Sequence, residues 1–169
     1  MIGDPVLRAR ANDVTDVDGA LVRLSDEMFE TMYEAAGIGL AAPQVGVQQR
    51  FFVYDHGEAG GVILNPEIAE SDGEWAFDEG CLSVPELSFE IVRPKQIHLV
   101  GIDLEGNEVS IEADELEARL FQHELDHLDG VLIVDHLDED QLREAKRFLR
   151  ERTLAAEMPG PSGGGLRLS

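Results

Sequence analysis

The sequence predicts an α+β fold. Three observations carry that reading. An amphipathic helical stretch near the N-terminus is followed by several strand-like segments before any further helical periodicity appears. One of those segments reads as a hairpin, which pairs antiparallel neighbours. The remaining two helical stretches then come consecutively, so strands and helices are grouped rather than alternated.

The first helix is read in "DGALVRLSDEMFETMYEAAG", where Leu21, Leu24, Met28 and Met32 recur at helical spacing, Ala35 follows, and Gly37 stands at the stop position. "RFFVYD", "GVILNPEI" and "QIHLVGIDLEGNEVSIEA" carry the β-branched and aromatic residues of strands. The last of them is predicted to turn at Glu105-Gly106-Asn107. "DELEARLFQHELDHLDG" is the second helix, with Asp114 as its N-cap, Glu117 three residues on, and Gly130 as its stop. "DEDQLREAKRFLRERTLAAE" is the third. Residues 1–154 are expected to form one catalytic domain, and 155–169, which include a Gly- and Pro-rich run, a flexible C-terminal tail.

Composition narrows the function classes. The chain has 169 residues, 43% hydrophobic, the size and balance of a globular domain with a real core. Acidic residues number 35 against 13 basic, for a formal charge of -22, which opposes general nucleic-acid binding. No run is long and apolar enough for a membrane-spanning helix, and the N-terminus lacks the apolar core of a signal peptide, so a cytoplasmic protein is expected. Cys81 is the single cysteine, which excludes an internal disulfide.

The second helix carries the anomaly. At about 100° per residue, Leu116, Leu120, His123 and His127 fall on one stripe, with Phe121, Leu125 and Leu128 widening the apolar side. Arg119, Gln122, Asp126 and Asp129 fall on the other side. Glu124 lies inside the apolar sector, so two histidines and a glutamate point inward. An unpartnered buried carboxylate costs several kcal/mol, so a partner is expected. Histidines at i and i+4 clasp one ion from one face, and a glutamate between them reaches a water beside it, as in H-E-x-x-H metal hydrolases. The same pattern also fits a core helix with hydrogen-bonded histidines.

A catalytic site of this kind normally takes a third protein ligand. Ile133 stands where one protease class places a third histidine. Glu144 and Glu151 are candidates by the pattern of another class, on a charged helix. Cys81, in "DEGCLSVP", offers a thiolate, an excellent ligand for Zn(II) or Fe(II). A structural site with a fourth ligand from His56, His98 or His136 is not favoured by any spacing.

Three separated motifs coincide in order: "GIGLAAPQ" with Gly37, Gly39, Ala41 and Gln44; "EGCLS" from Glu79 to Ser83; and "QHELDH" from Gln122 to His127. Together they resemble peptide deformylase, from about Pro5 to the third helix. The resemblance implies removal of the N-formyl group from new polypeptides that begin with formyl-methionine. It implies metal ligands at Cys81, His123 and His127, a catalytic Glu124, and oxyanion donors from the Gln44 side chain and the Leu82 backbone. It implies antiparallel sheets around the metal-bearing helix and one divalent ion, usually Fe(II), with Zn(II), Ni(II) or Co(II) also accepted. The glycine segment around Gly39 is read either as letting a peptide backbone approach as an added strand or as a plain helix-to-strand turn, and Ile38, Leu116 and Leu120 either line a methionine pocket or are ordinary core.

Gln141 to Arg152 holds five basic residues against two acidic ones. Such a helix is either an exposed one with i,i+4 pairing, as of Arg147 with Glu151, or a candidate for docking on the ribosome, as the family resemblance suggests. A monomer that makes no membrane contact is expected.

Overall fold

The computed structural model describes residues 8–81 and 84–155. Leu82 and the tail beyond 155 lie outside the described residues, as does the side chain of Cys81.

Helix α1 (Gly19–Glu34) begins at Asp18, whose carboxylate accepts the Leu21 N–H at 2.9 Å. Its end corrects the expectation of a stop at Gly37. Ala36, not Gly37, takes the left-handed conformation, at φ 55°. The N–H of Gly37 reaches back to Met32 and that of Ala36 to Tyr33, the paired bonds of a Schellman end.

Strands β1 (Gly39–Ala41), β2 (Phe51–Asp55), β3 (Gly60–Asp72), β6 (Gln96–Ile102) and β7 (Glu108–Asp114) form a five-stranded antiparallel sheet in the order β1-β2-β3-β6-β7. The predicted hairpin is β6–β7, with Gly106 at φ 83° supplying the turn. β4 (Trp75–Cys81) and β5 (Val84–Arg93) pair as a separate two-stranded sheet. Cys81 is the last residue of β4.

Both faces of the larger sheet are covered at β2. Its side chains alternate: Phe51 and Val53 pack towards Leu21, Met28 and Met32 of α1. Phe52 and Tyr54 pack towards the second helix, α2 (Glu115–Asp129), through Leu120, Phe121, Leu125 and Leu128. The C-terminal helix α3 (Glu139–Ala155) packs on the small sheet, where Phe89 and Ile91 meet Ile133 and Ala145.

The capping motif falls on a different helix from the one predicted. Asp114 makes no side-chain cap to α2. Glu115 has φ 50° and gives its N–H to the Lys95 carbonyl, so the chain enters the helix bent away from Asp114. The reciprocal pair instead opens α3: Asp138 accepts the Gln141 N–H at 2.8 Å, and Gln141 Oε1 accepts the Asp138 N–H at 3.2 Å. Gly130 ends α2 as expected, at φ 74°.

Candidate active site

α2 is buried almost all round. Its apolar side meets the five-stranded sheet, and its other side lies under the β4–β5 hairpin. Arg119 and Gln122, which the helical pattern sets opposite the apolar stripe, are therefore also buried. Gln122 donates to the Pro94 carbonyl. Arg119 lies over the stacked rings of Trp75 and Phe77, at 5.3 and 5.7 Å from their centres.

His123, Glu124 and His127 all point into this interior, with relative exposures of 2%, 0% and 3%. One ligand atom from each lies within 4.8 Å of the other two. The two imidazoles face each other with Nε2 to Nε2 at 3.2 Å. The opposite nitrogen of His123, Nδ1, lies 3.0 Å from Glu79 Oε1.

Glu79 decides the chemistry of His123. Its carboxylate has no exposure and is gripped by Arg93, through Nε at 2.7 Å and Nη2 at 3.0 Å. Arg119 Nη1 donates to it as well. Burial alone pushes the Glu79 carboxyl up, but the His123 hydrogen bond and the hydrogen bonds and charge of Arg93 outweigh it and hold it at about 2. An ionised carboxylate only accepts, so Nδ1 of His123 carries the proton. Nε2 of a neutral His123 then presents a lone pair towards His127. A carboxylate behind an imidazole is the usual outer support of a metal-binding histidine. Two imidazole nitrogens and a carboxylate converging in a dry interior fit a divalent transition metal by donor type.

The other expected residues are distributed as follows. Gly39 lies on β1, the edge strand of the large sheet, directly over α2. A Cβ there would stand 2.7 Å from Leu120 Cδ1 and 3.0 Å from Glu124 Oε1, so only glycine lets the strand run this close. Gln44 sits in the short 3-10 turn after β1, and its Oε1 accepts the Ala41 N–H at 2.9 Å. With its oxygen engaged, the carboxamide has its N–H groups left to donate elsewhere. Leu120 is fully buried, Leu116 one turn earlier is 43% exposed, and Ile38 packs against the core cluster that contains Leu120.

The alternative ligands lie elsewhere. Glu144 and Glu151 are exposed on α3. His56, His98 and His136 are engaged by Glu117, Ser110 and Asp126 respectively. Sequence reasoning missed Arg93, Arg119 and the role of Glu79. A glutamate two residues before the only cysteine was the available signal.

Fold and site together define an α+β chain whose central buried helix carries an inward His–Glu–His group able to hold a metal ion. The comparisons with known proteins are more specific. A family model described as polypeptide deformylase matches residues 1–143. The chain is 48% identical to the peptide deformylase of Thermotoga neapolitana over 155 residues, 91% of this chain and 92% of that one. It is 46% identical to that of Acidothermus cellulolyticus, over 93% of this chain and 87% of the relative. The crystal structure of a peptide deformylase from Legionella pneumophila matches with a TM-score of 0.85 at 39% identity, covering 94% of this chain and 95% of that one. The peptide deformylase structure from Thermus thermophilus matches with a TM-score of 0.84 at 40% identity, covering 91% and 93%. The chain therefore belongs to the polypeptide deformylase family and is an enzyme of it. No helix among the described residues is long and apolar enough to cross a membrane.

The Glu79 cluster sets a stability expectation. The folded chain holds this carboxyl at about 2, below its ordinary 4.5. The stability it contributes is present in full above pH 4.5 and is lost as the pH falls through about 2. Glu79→Gln leaves Arg93 and Arg119 facing a neutral amide, and should cost about 3–5 kcal/mol at pH 7 in urea unfolding of the metal-free chain. It should also flatten the acid arm between those two values. Wild-type stability at pH 7 in the variant would show that the cluster contributes little.

Proposed function

We propose that this enzyme removes the N-formyl group from the formyl-methionine that begins newly synthesised polypeptides. The observation that carries the reading is the convergence of His123, Glu124 and His127 in one buried group beneath strand β1, which Gly39 lets run against Glu124. In this reading Cys81, His123 and His127 hold one divalent ion. Fe(II) is the first choice, and Zn(II), Ni(II) or Co(II) are alternatives. A bound ion supplies a Lewis acid that polarises the formyl oxygen and acidifies a water.

The chain's own groups perform the rest. The peptide lies beside β1 as an added strand, held by backbone hydrogen bonds. Its methionine side chain lies against Ile38, Leu116 and Leu120. Glu124 accepts a proton from the attacking water and returns it to the leaving amine, so formate and a free amino terminus are released. Charge on the former carbonyl oxygen is met by the Gln44 N–H and the Leu82 backbone N–H, each such donor contributing about 3 kcal/mol. The Ala41–Gln44 hydrogen bond supports this assignment, because it engages the amide oxygen and leaves the nitrogen as the group that donates. The whole site resides in residues 1–154, with 155–169 outside the catalytic unit.

Glu124→Gln should retain the metal and lose about 10²–10⁴-fold in turnover. Cys81→Ser should change metal affinity or identity, since a hydroxyl is a poorer donor than a thiolate. Metal analysis beside an activity assay tests both. Loss of metal in Glu124→Gln would move that residue into the ligand set, and unchanged metal binding in Cys81→Ser would remove Cys81 from it.

The same reading gives α3 a partner. Arg143, Lys146, Arg147 and Arg150 are exposed on this helix, in a chain otherwise strongly acidic. We assign this basic window, Gln141 to Arg152, to contact with ribosomal RNA phosphates, placing the cytoplasmic, monomeric enzyme near emerging chains. Ala145 anchors the helix to the small sheet, so charge reversal is a cleaner test than truncation. Lys146→Glu with Arg147→Glu and Arg150→Glu should abolish low-salt co-sedimentation with ribosomes. Undiminished co-sedimentation would exclude this helix as the contact.

A further inference from the structure

The supports of His123 do not end at Glu79. Arg93 uses Nε and Nη2 to grip that carboxylate, and its remaining nitrogen, Nη1, reaches Asp126 Oδ2 at 2.8 Å. The same Asp126 oxygen is bonded to His136 Nε2 at 2.7 Å. Exposure rises outwards along this line: the Glu79 side chain is 0% exposed, Arg93 5%, Asp126 23% and His136 30%. A continuous chain of charged hydrogen bonds thus runs from a cleft of about 520 Å³ on the far side of α2 to Nδ1 of a histidine in the candidate site.

We propose that Asp126 is a positioning residue for the metal site, acting through Arg93 and Glu79 on His123. The inference rests on the reading of His123 as a metal ligand.

The geometry gives the reason. A guanidinium is planar and its donors are fixed relative to one another. Two donors on Glu79 set the plane of that carboxylate, yet leave Arg93 able to slide along it or tilt. The third bond, to Asp126, removes that freedom. Glu79 Oε1 is then fixed where His123 Nδ1 needs it, and the imidazole plane follows. Asp126 is also anchored at its own end, one residue before His127 on the same helix, so both histidines are referred to a single rigid frame. Charge fits as well: two guanidiniums face two carboxylates, and the cluster of Glu79, Arg93, Arg119 and Asp126 is neutral.

Asp129 provides an internal comparison. It lies one turn further along the same side of α2 and is also paired with a buried arginine, Arg50, at 2.7 Å. Arg50 donates its other bond to the Pro66 carbonyl and not to Glu79. Removing Asp129 therefore removes one negative charge near the site without touching the chain that leads to His123.

The test uses the full chain loaded with Co(II). The rate at which EDTA strips the ion and the shape of the Co(II) absorption band are recorded for wild type, Asp126→Asn and Asp129→Asn. Far-UV circular dichroism checks the fold of each. In the metal-free chain, the His123 Nδ1–H proton is followed by NMR. Direct outer supports of metal-bound histidines are worth 10–100-fold in affinity. Asp126 acts one link further out, so Asp126→Asn should lose Co(II) about 10-fold faster, with an altered band and a broadened His123 proton signal. Asp129→Asn should match wild type within about twofold by the same reasoning.

Equal retention in Asp126→Asn and wild type overturns the positioning role and leaves the metal reading standing. Equal loss in both variants also overturns it, since any nearby charge would then suffice. A wild-type chain that binds no Co(II) overturns the metal reading and the positioning role together. If Asp126→Asn does not fold, Asp126→Glu asks the same question. It keeps the charge but moves the carboxylate by one methylene, so faster Co(II) loss supports the role and wild-type retention overturns it.

Discussion

The buried carboxylate of Glu79 is the constraint on which the rest of the site depends. It comes from β4, yet its partners are Arg93 on β5 and Arg119 and His123 on α2. Those bonds fasten the small sheet to the central helix. Removing one member of a buried ionic group leaves an uncompensated charge costing several kcal/mol, so the group holds or fails as a unit. The same bonds fix the proton of His123 on Nδ1 and turn its Nε2 inward. Stability and chemistry therefore rest on one set of contacts.

Layering does the remainder of the work. At β2, alternation buries both faces of the large sheet, α1 on one and α2 on the other. The hairpin of β4 and β5 then closes over the opposite side of α2. A helix enclosed in this way can hold His123, Glu124 and His127 away from bulk water, where their electrostatic interactions are strongest. Gly39 completes the enclosure by letting an edge strand run against Glu124 without a side chain between them.

Much of this was legible in the sequence, because helical periodicity depends only on local spacing. The three helices, the β6–β7 hairpin and the inward direction of His123, Glu124 and His127 all follow from period and turn chemistry. The burial of Arg119 and Gln122 does not, since a polar residue on the far side of an amphipathic helix ordinarily faces solvent. Only the hairpin packed above them makes that side interior, and its partners are tens of residues distant in sequence. The helix ends show a similar limit. Asp114 and Asp138 both precede helices with a Glu or Gln three residues on, but Glu115 enters with positive φ and only Asp138 caps. Gly37 looked like the left-handed stop, yet Ala36 takes that conformation while Gly37 closes the outer bond. Strand β1 is three residues long, too short for any alternation to register.

The central claim is that these residues hold a metal ion and, with it, hydrolyse a formyl group rather than an internal peptide bond. The most direct measurement is formate release from a formyl-methionyl peptide by anaerobically purified protein of known metal content, beside an end-blocked peptide containing only internal bonds. The account predicts about one metal ion per chain, formate release that disappears on metal removal and returns with Fe(II), and an intact blocked peptide. Metal-loaded protein that releases no formate, or that cleaves the blocked peptide, would contradict it.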